Sequence, residues 1–210
     1  MSISAPRRPS SVARDPDDRT SRTSAHVPSE RRTFPGWRWM AVWPAFPVSG
    51  LIAWTIGGRV DAVDAALVGG ALTAAGLAAV EWWAAKAALG RPAPWISSSA
   101  AGYAVGLAAG AALVGYETDL GALALMGLVS GAALGAAQGL VLARQGRSGL
   151  AVRWALAMPV LFALGWSVAS VTGIGVDDQF TVFGAGGALV FTLLSGLLLA
   201  RLTPVGARAA

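Results

Sequence analysis

The sequence predicts an all-α fold: a polytopic membrane helical bundle of six transmembrane helices, arranged as three parallel helical-hairpin repeats. Hydrophobic residues make up 55% of the 210 residues and charged residues only 13%, which is about half the share in soluble domains. The apolar residues fall into runs of about 20, the length at which a helix crosses roughly 30 Å of hydrocarbon. Basic and acidic segments alternate between these runs. A transmembrane barrel would instead require alternating segments of about 10 residues.

The first 36 residues differ in composition from the rest of the chain. They are rich in Ser, Thr, Pro and Arg and contain no apolar stretch that could form a core or a signal peptide. We therefore expect a disordered basic and polar cytoplasmic tail at 1–36 and a six-helix transmembrane domain at 37–205. The only histidine, His26, lies in the tail, so the predicted helices contain no imidazole.

Six apolar runs give the predicted helices in order. They cover residues 39–57, 64–85, 96–116, 120–143, 154–176 and 181–202. Pro44 and Pro47 fall in the first run and Pro159 in the fifth. Proline kinks a helix by removing a backbone donor, and transmembrane helices tolerate this change.

The charges between the helices indicate an orientation. In a six-span topology, all of the 16 Lys and Arg residues except Arg59 fall on one side, together with both termini. The opposite loops carry the acids Asp61, Asp64, Glu117, Asp119, Asp177 and Asp178. Because short loops rich in Lys and Arg remain in the cytoplasm, we expect the N- and C-termini to be cytoplasmic.

A recurrent spacing predicts the hairpin repeat. Each odd-numbered helix has a tryptophan followed by a glycine at the same distance: Trp39 and Gly50, Trp95 and Gly106, Trp154 and Gly165. Tryptophan favours the headgroup interface, and a glycine near the midplane lets a neighbouring backbone approach closely. The predicted repeats span about 39–90, 95–147 and 154–205. Chance matches in a chain rich in Ala, Gly and Leu are the alternative explanation.

The fourth helix carries a ladder of glycines at every fourth position: Gly127, Gly131, Gly135 and Gly139. This spacing resembles chained G-x-x-x-G, a pattern typical of helices that pack closely in membranes. We expect the ladder to pack within the chain, and a homodimer face is the alternative. The matching sequences that end at Arg144 and Arg201 align this helix with the sixth.

Three polar side chains lie within the predicted helices. Gln138 is expected to bond a neighbouring helix, with a place on a substrate path as the alternative, and Ser195 is its equivalent in the sixth helix. Glu81 lies near the inner end of the second helix. We expect it to reach the interface or to meet Lys86 or Arg91, and a buried proton or cation site is the alternative.

No catalytic, cofactor-binding or metal-binding constellation is visible in the sequence. The chain has no cysteine, which excludes disulfides and thiolate ligands. A Ser-His-Asp site is excluded because the predicted helices have no histidine. The high pI is explained by the charge bias of the loops, so we expect neither a nucleic-acid partner nor a cofactor, and we do not expect an enzyme.

Several motifs together resemble a recurrent pattern in uncharacterised bacterial multi-pass membrane proteins. They are Val114-Gly115-Tyr116-x-Thr118, the helix Gly131-x3-Gly135-x2-Gln138-x-Leu140-x-Leu142, Trp154 with Met158-Pro159, and Gln179-Phe180-x-Val182-Phe183-Gly184. The resemblance covers about residues 66–202 and implies about six spans in a bacterial inner membrane. It implies no activity.

Two functional classes follow from these observations. The first is a structural or accessory membrane protein, whose partners are the bilayer and either another membrane protein or further copies of the chain. The second is a channel or small-solute transporter with a path near Gln138. A dry, closely packed axis would favour the first class, and a continuous polar path would favour the second.

Overall fold

The computed structural model describes residues 36–172 and 181–203 of the chain. Within these ranges the fold is all-α and contains no strand. The helices are α1 (Gly36–Trp39), α2 (Val42–Gly57), α3 (Val63–Leu89), α4 (Pro92–Leu113), α5 (Leu120–Arg144), α6 (Ser148–Thr172) and α7 (Ala185–Leu202). The predicted tail, apart from Gly36, lies outside the described residues, as do Asp177, Asp178 and the end of the third predicted repeat.

The described residues contain six helices that are long and apolar enough to cross a membrane, as predicted. The first of them combines α1 and α2, which are separated by a turn at Met40 and Ala41. Pro44 falls in the first turn of α2, where the backbone N–H groups have no partner within the helix and a proline is tolerated. Pro47 lies inside α2, and Pro159 lies inside α6.

Three helix starts differ from the sequence prediction by four residues or more. Helix α4 begins at Pro92 rather than at 96. Helix α6 begins at Ser148 rather than at 154, because its first turns contain polar residues that hydropathy assigns to a loop. The Ala151 N–H already donates to Arg147 O at 2.9 Å. Helix α7 begins at Ala185 rather than at 181, and Thr181–Gly184 is not helical.

The turns follow local side-chain chemistry. Asp119 precedes α5, and its carboxylate accepts from the backbone N–H groups of Gly121 at 2.8 Å and Ala122 at 3.1 Å. This is an N-cap, which satisfies donors that the first helical turn leaves open. Gly115 and Tyr116 before it both have φ of 62°, so the chain reverses through two successive left-handed residues.

The six long helices form a closed ring in chain order. Each packs against the next one, and α7 packs back against α2. The short helix α1 lies against α3 and α7. Helices that are adjacent in the ring are therefore consecutive in sequence, except for α2 and α7, whose contact closes the ring.

Arg147 forms hydrogen bonds between the α5–α6 turn and α3 at one end of this ring. It lies between α5 and α6, and its guanidinium donates to the backbone oxygens of Ala87, at 2.9 Å, and Ala88. These carbonyls belong to the last turn of α3, which has no helical donors left for them and carries the negative end of the helix dipole. The α5–α6 turn is thereby bonded to the end of α3.

Aromatic side chains fill the middle of the ring. Phe46 of α2 stacks on Phe183 with ring centroids 4.9 Å apart, and Phe191 of α7 meets Phe46 edge-on at 5.2 Å. Phe162 of α6 lies 5.5 Å from Phe183 and 5.3 Å from Phe191. Tyr103 of α4 lies 5.5 Å from Phe162. These contacts are in the favourable range for aromatic pairs, and four helices thus contribute to one aromatic cluster.

The segment Thr181–Gly184 enters the bundle as extended and bent backbone before α7 begins. Thr181, Val182 and Phe183 are all buried. Tyr103 donates its phenolic O–H to Thr181 O at 2.6 Å, and the hydroxyls of Thr73 and Thr181 lie 2.6 Å apart. Tyr103 of α4 thus supplies a donor to this buried non-helical backbone, and Thr73 of α3 pairs with the Thr181 hydroxyl.

Candidate functional site

The glycine ladder of α5 packs against α6 of the same chain. A Cβ added at Gly131 would lie 2.6 Å from Met158 O, and one at Gly135 would lie 2.7 Å from Met158 Cβ. An added Cβ at Gly127 would meet Phe162 O at 2.8 Å, and one at Gly139 would meet Ala151 O at 3.2 Å. These positions are occupied by glycine because the α6 backbone leaves no room for a methyl group.

The glycines of the predicted tryptophan–glycine spacing lie on α2, α4 and α6, and they have different neighbours. A Cβ at Gly106 would lie 2.8 Å from Ser130 Cα and from Ala133 Cβ, so α4 approaches α5 closely there. A Cβ at Gly165 would lie 2.9 Å from the Phe183 ring, and one at Gly50 would lie 2.6 Å from Val182 Cγ1. Gly50 and Gly165 therefore make room for the Thr181–Gly184 segment, which the sequence analysis had assigned to a helix.

Gln138 joins three helices through a directed hydrogen-bond chain. Its Oε1 accepts from Trp154 Nε1 of α6 at 2.7 Å, and its Nε2 donates to Ser99 Oγ of α4 at 2.9 Å. Ser99 in turn donates to Trp95 O at 2.8 Å. An indole nitrogen can only donate, which fixes the amide orientation with Oε1 toward Trp154. Gln138 is thus a bonded, buried amide at the centre of the bundle.

Ser195 lies in a similar arrangement on α7. Trp39 Nε1 lies 3.1 Å from Ser195 Oγ and 3.1 Å from Thr192 O, so one indole N–H is shared between two acceptors. The Ser195 hydroxyl also donates to Thr192 O at 3.3 Å. Trp39 and Trp154 therefore bond residues that the sequence alignment of α5 and α7 makes equivalent, Ser195 and Gln138.

The three tryptophans do not lie on the outer surface of the bundle, and their predicted depth at a headgroup interface stays a prediction. Trp39 is 1% exposed, and Trp95 and Trp154 are 0% exposed. Trp95 and Trp154 lie side by side with ring centroids 6.2 Å apart. The physical reason is that acceptors on neighbouring helices bind two of the indole N–H groups, which removes the need for water at the ring edge.

Glu81 is also placed differently from the expectation. Its side chain is buried inside the bundle, and it forms no ion pair with Lys86, Arg91 or any other described residue. The carboxyl faces Trp95 Nε1 and the Gln138 side chain, although neither contact reaches standard hydrogen-bond geometry. Helix α3 is kinked at Ala85, where the backbone is not helical, and ends at Leu89. Glu81 is therefore close to the end of the straight part of the helix, as expected, but its rotation directs the carboxyl toward Ser99 and Gln138 rather than toward Lys86.

A small internal cavity adjoins this polar cluster. Its lining includes Glu81, Ser99 and Gln138 together with aromatic rings of the central cluster. About 20 Å³ is open to the centre of a water molecule, which is room for one or two waters. The cavity reaches Val182 of the Thr181–Gly184 segment, and the aromatic cluster occupies the space beside it.

Sequence reasoning did not identify Ser99, Tyr103 and Thr181 as members of the buried network. Ser99 is one of three successive serines, and only the rotation of α4 separates it from its exposed neighbour Ser97. Tyr103 follows Trp95 by eight residues, Phe162 follows Trp154 by eight, and Phe46 follows Trp39 by seven. That recurrence of aromatic residues was the available signal for the central cluster.

The site is a hydrogen-bonded chain of Trp154, Gln138 and Ser99 beside one buried carboxyl group, that of Glu81. The described part of the chain contains no group of three potential metal ligands. Fold and site together define an all-α bundle of six membrane-capable helices around a buried polar cluster. Comparison with known proteins found no matching family model, no similar curated protein and no similar solved structure. The motif resemblance to bacterial membrane proteins therefore stays a prediction.

Proposed function

We propose that the chain is an integral membrane protein of the bacterial inner membrane, with six spans and cytoplasmic termini. The apolar outer surface of the ring supports this proposal. Ile56 is 65% exposed, Val105 60% and Leu156 71%. Such a surface is unfavourable in water and suits lipid. The turns after α3 and α5 carry the basic residues that the cytoplasmic side would require.

The architecture is three parallel hairpins, α2–α3, α4–α5 and α6–α7. The support comes from the tryptophan that begins each hairpin. Trp39 and Trp154 donate to the equivalent positions Ser195 and Gln138, and Trp95 faces Glu81 of α3. Each tryptophan thus points at a polar side chain of the preceding helix around the ring, which supports a threefold arrangement.

The function is that of a structural or accessory membrane protein. The observation that carries it is the aromatic cluster, which fills the ring axis where a solute would pass. Phe46, Phe162, Phe183 and Phe191 contact one another there, and all are at most 2% exposed. A closed ring offers its outer surface for interaction, so its partners are lipid and another membrane protein or a second copy of the chain.

A channel or small-solute transporter with a path near Gln138 is the second candidate. The internal cavity favours it, because Gln138 and Glu81 both line that space. A transporter would need the Thr181–Gly184 segment to withdraw from the axis, since Val182 lines the cavity and Phe183 belongs to the aromatic cluster.

A flux measurement separates the two candidates. Purified protein in lipid vesicles is tested for passage of protons, Na⁺, K⁺ and small neutral solutes, with protein-free vesicles as the baseline. The accessory role predicts rates equal to the baseline for every solute. Saturable uptake by the wild type that Gln138→Leu abolishes would contradict the accessory role and favour the transporter.

A further inference from the structure

We propose that Glu81 is a reversible proton-binding site at the centre of the bundle. This goes beyond the accessory role, because a scaffold needs no ionisable group in its interior. The proposal stands on three features of the structure. They are the isolation of the carboxyl from cations, the hydrogen-bond donors that face it, and the small cavity beside it.

The isolation of Glu81 favours a carboxyl group that carries a proton. The side chain is 5% exposed, and no described basic residue is paired with it. An unpaired carboxylate in an apolar interior is unfavourable by several kcal/mol. Binding a proton removes the charge, which is the usual outcome for a buried acid without a counter-ion.

Every element packed against α3 can be checked for a charge that would change this conclusion. The neighbours are α1, α2 and α4, together with Arg147 of the α5–α6 turn, whose guanidinium donates to the backbone oxygens of Ala87 and Ala88. Helix α1 brings Arg38, but its guanidinium lies over the rings of Trp37 and Trp83 at 5.3 and 5.7 Å. Helix α2 has no ionisable residue, and α4 has only Tyr103, whose hydroxyl is bonded to Thr181 O.

Across the cavity, α5 contributes Gln138 and no ionisable side chain. Its one charged residue, Arg144, is exposed at the end of the helix. The charged residues of α6 and α7 are Arg153 and Arg201, and both are exposed. Among the described residues, Glu81 is therefore the only ionisable group that lines the cavity apart from the bonded phenol of Tyr103.

The donors around Glu81 make proton release feasible. Because Trp154 fixes the Gln138 amide with Oε1 toward the indole, both Nε2 hydrogens point away from it. One bonds Ser99, and the other is available to the carboxyl. Trp95 Nε1 has no hydrogen-bond partner and also faces Glu81. Two N–H donors stabilise a carboxylate when the proton leaves, so the site accommodates both states.

The same donors argue against a metal cation. A metal ion needs several oxygen ligands directed at it, whereas the groups that face Glu81 present N–H. The Ser99 oxygen already accepts from Gln138 and donates to Trp95 O. The cavity has room for one or two waters, which is sufficient for a water that passes a proton to the carboxyl.

Infrared spectroscopy of the whole protein in lipid vesicles tests the proposal. A protonated carboxyl group has a C=O stretching band that a carboxylate lacks. We expect such a band in the wild type at neutral pH, a shift of the band in D₂O, and its complete loss in Glu81→Gln. The matched control is Glu117→Gln, the same change at an exposed acid, which should leave the band intact.

Reversibility is tested by titration and by exchange of salts. The wild-type band should fall as the pH is raised and recover when the pH is lowered. It should stay unchanged when choline chloride is replaced by NaCl, KCl or NH₄Cl at fixed pH. The wild-type titration does not depend on the folding of any variant. Absence of the band, its persistence in Glu81→Gln, or its failure to titrate would overturn the proposal. A band removed by one of the salts would instead assign the site to that cation.

Discussion

Replacing Gly135 by alanine is the most direct test of how tightly α5 and α6 pack. The added Cβ would lie 2.7 Å from Met158 Cβ and 2.9 Å from Ala155 O, whereas ordinary contact begins at 3.4 Å. The helices must therefore separate by several tenths of an ångström along the α5–α6 contact. Overpacking of this kind costs about 1–3 kcal/mol.

Alanine also favours the helix over glycine by roughly 0.5–1 kcal/mol, so the expected net loss for Gly135→Ala is about 1–2 kcal/mol. For a chain of this size that lowers the melting temperature by roughly 2–8 °C. The assay is thermal unfolding in detergent, with size-exclusion chromatography to establish that each variant is monodisperse.

Gly149→Ala is the matched control. Gly149 is a helical glycine on α6 with nothing within 4 Å of an added Cβ, so this change should leave the melting temperature unchanged or raise it slightly. Equal melting temperatures for Gly135→Ala and Gly149→Ala would refute the close packing of the ladder.

Two further predictions concern the indole network and the orientation. Trp154→Phe keeps an aromatic ring but removes the donor to Gln138, and leaving that buried oxygen unpaired should cost about 1–3 kcal/mol of stability. The control Trp37→Phe, at a residue 72% exposed, should have the melting temperature of the wild type. Similar melting temperatures for the two variants would contradict the network. Reporter fusions after residues 62, 118 and 203 should place the first two outside the cytoplasm and the third inside. An external reporter after residue 203 would reject the six-span topology.

The number and approximate position of the helices could be predicted because hydropathy and length decide whether a helix can cross a bilayer. The helix starts could not, and α6 and α7 show two reasons. Helix α6 continues into polar sequence because backbone hydrogen bonding does not depend on side-chain polarity. Helix α7 starts late because Thr181–Gly184 makes tertiary hydrogen bonds to α3 and α4 in place of a first helical turn.

The candidate site was predictable as a set of residues but not as an arrangement. Gln138, Ser195 and Glu81 stand out because polar side chains are rare in apolar runs. Which of them is bonded depends on the rotation of each helix, and a hydropathy pattern does not determine that rotation. Here the helices are apolar on nearly all faces, so the buried side was visible only through the spacing of the tryptophans and small residues.

The chain-order ring also has a consequence for synthesis. Most contacts join helices that follow one another, so each hairpin can pack soon after it is made. The closing contacts are different, since Trp39 and Ser195 are 156 residues apart. Until α7 emerges from the ribosome, the Trp39 indole lacks its acceptors on that helix and the edges of α2 and α6 remain uncovered. A truncated or stalled chain would therefore present an open ring, with the aromatic residues of its axis exposed to membrane proteases and chaperones.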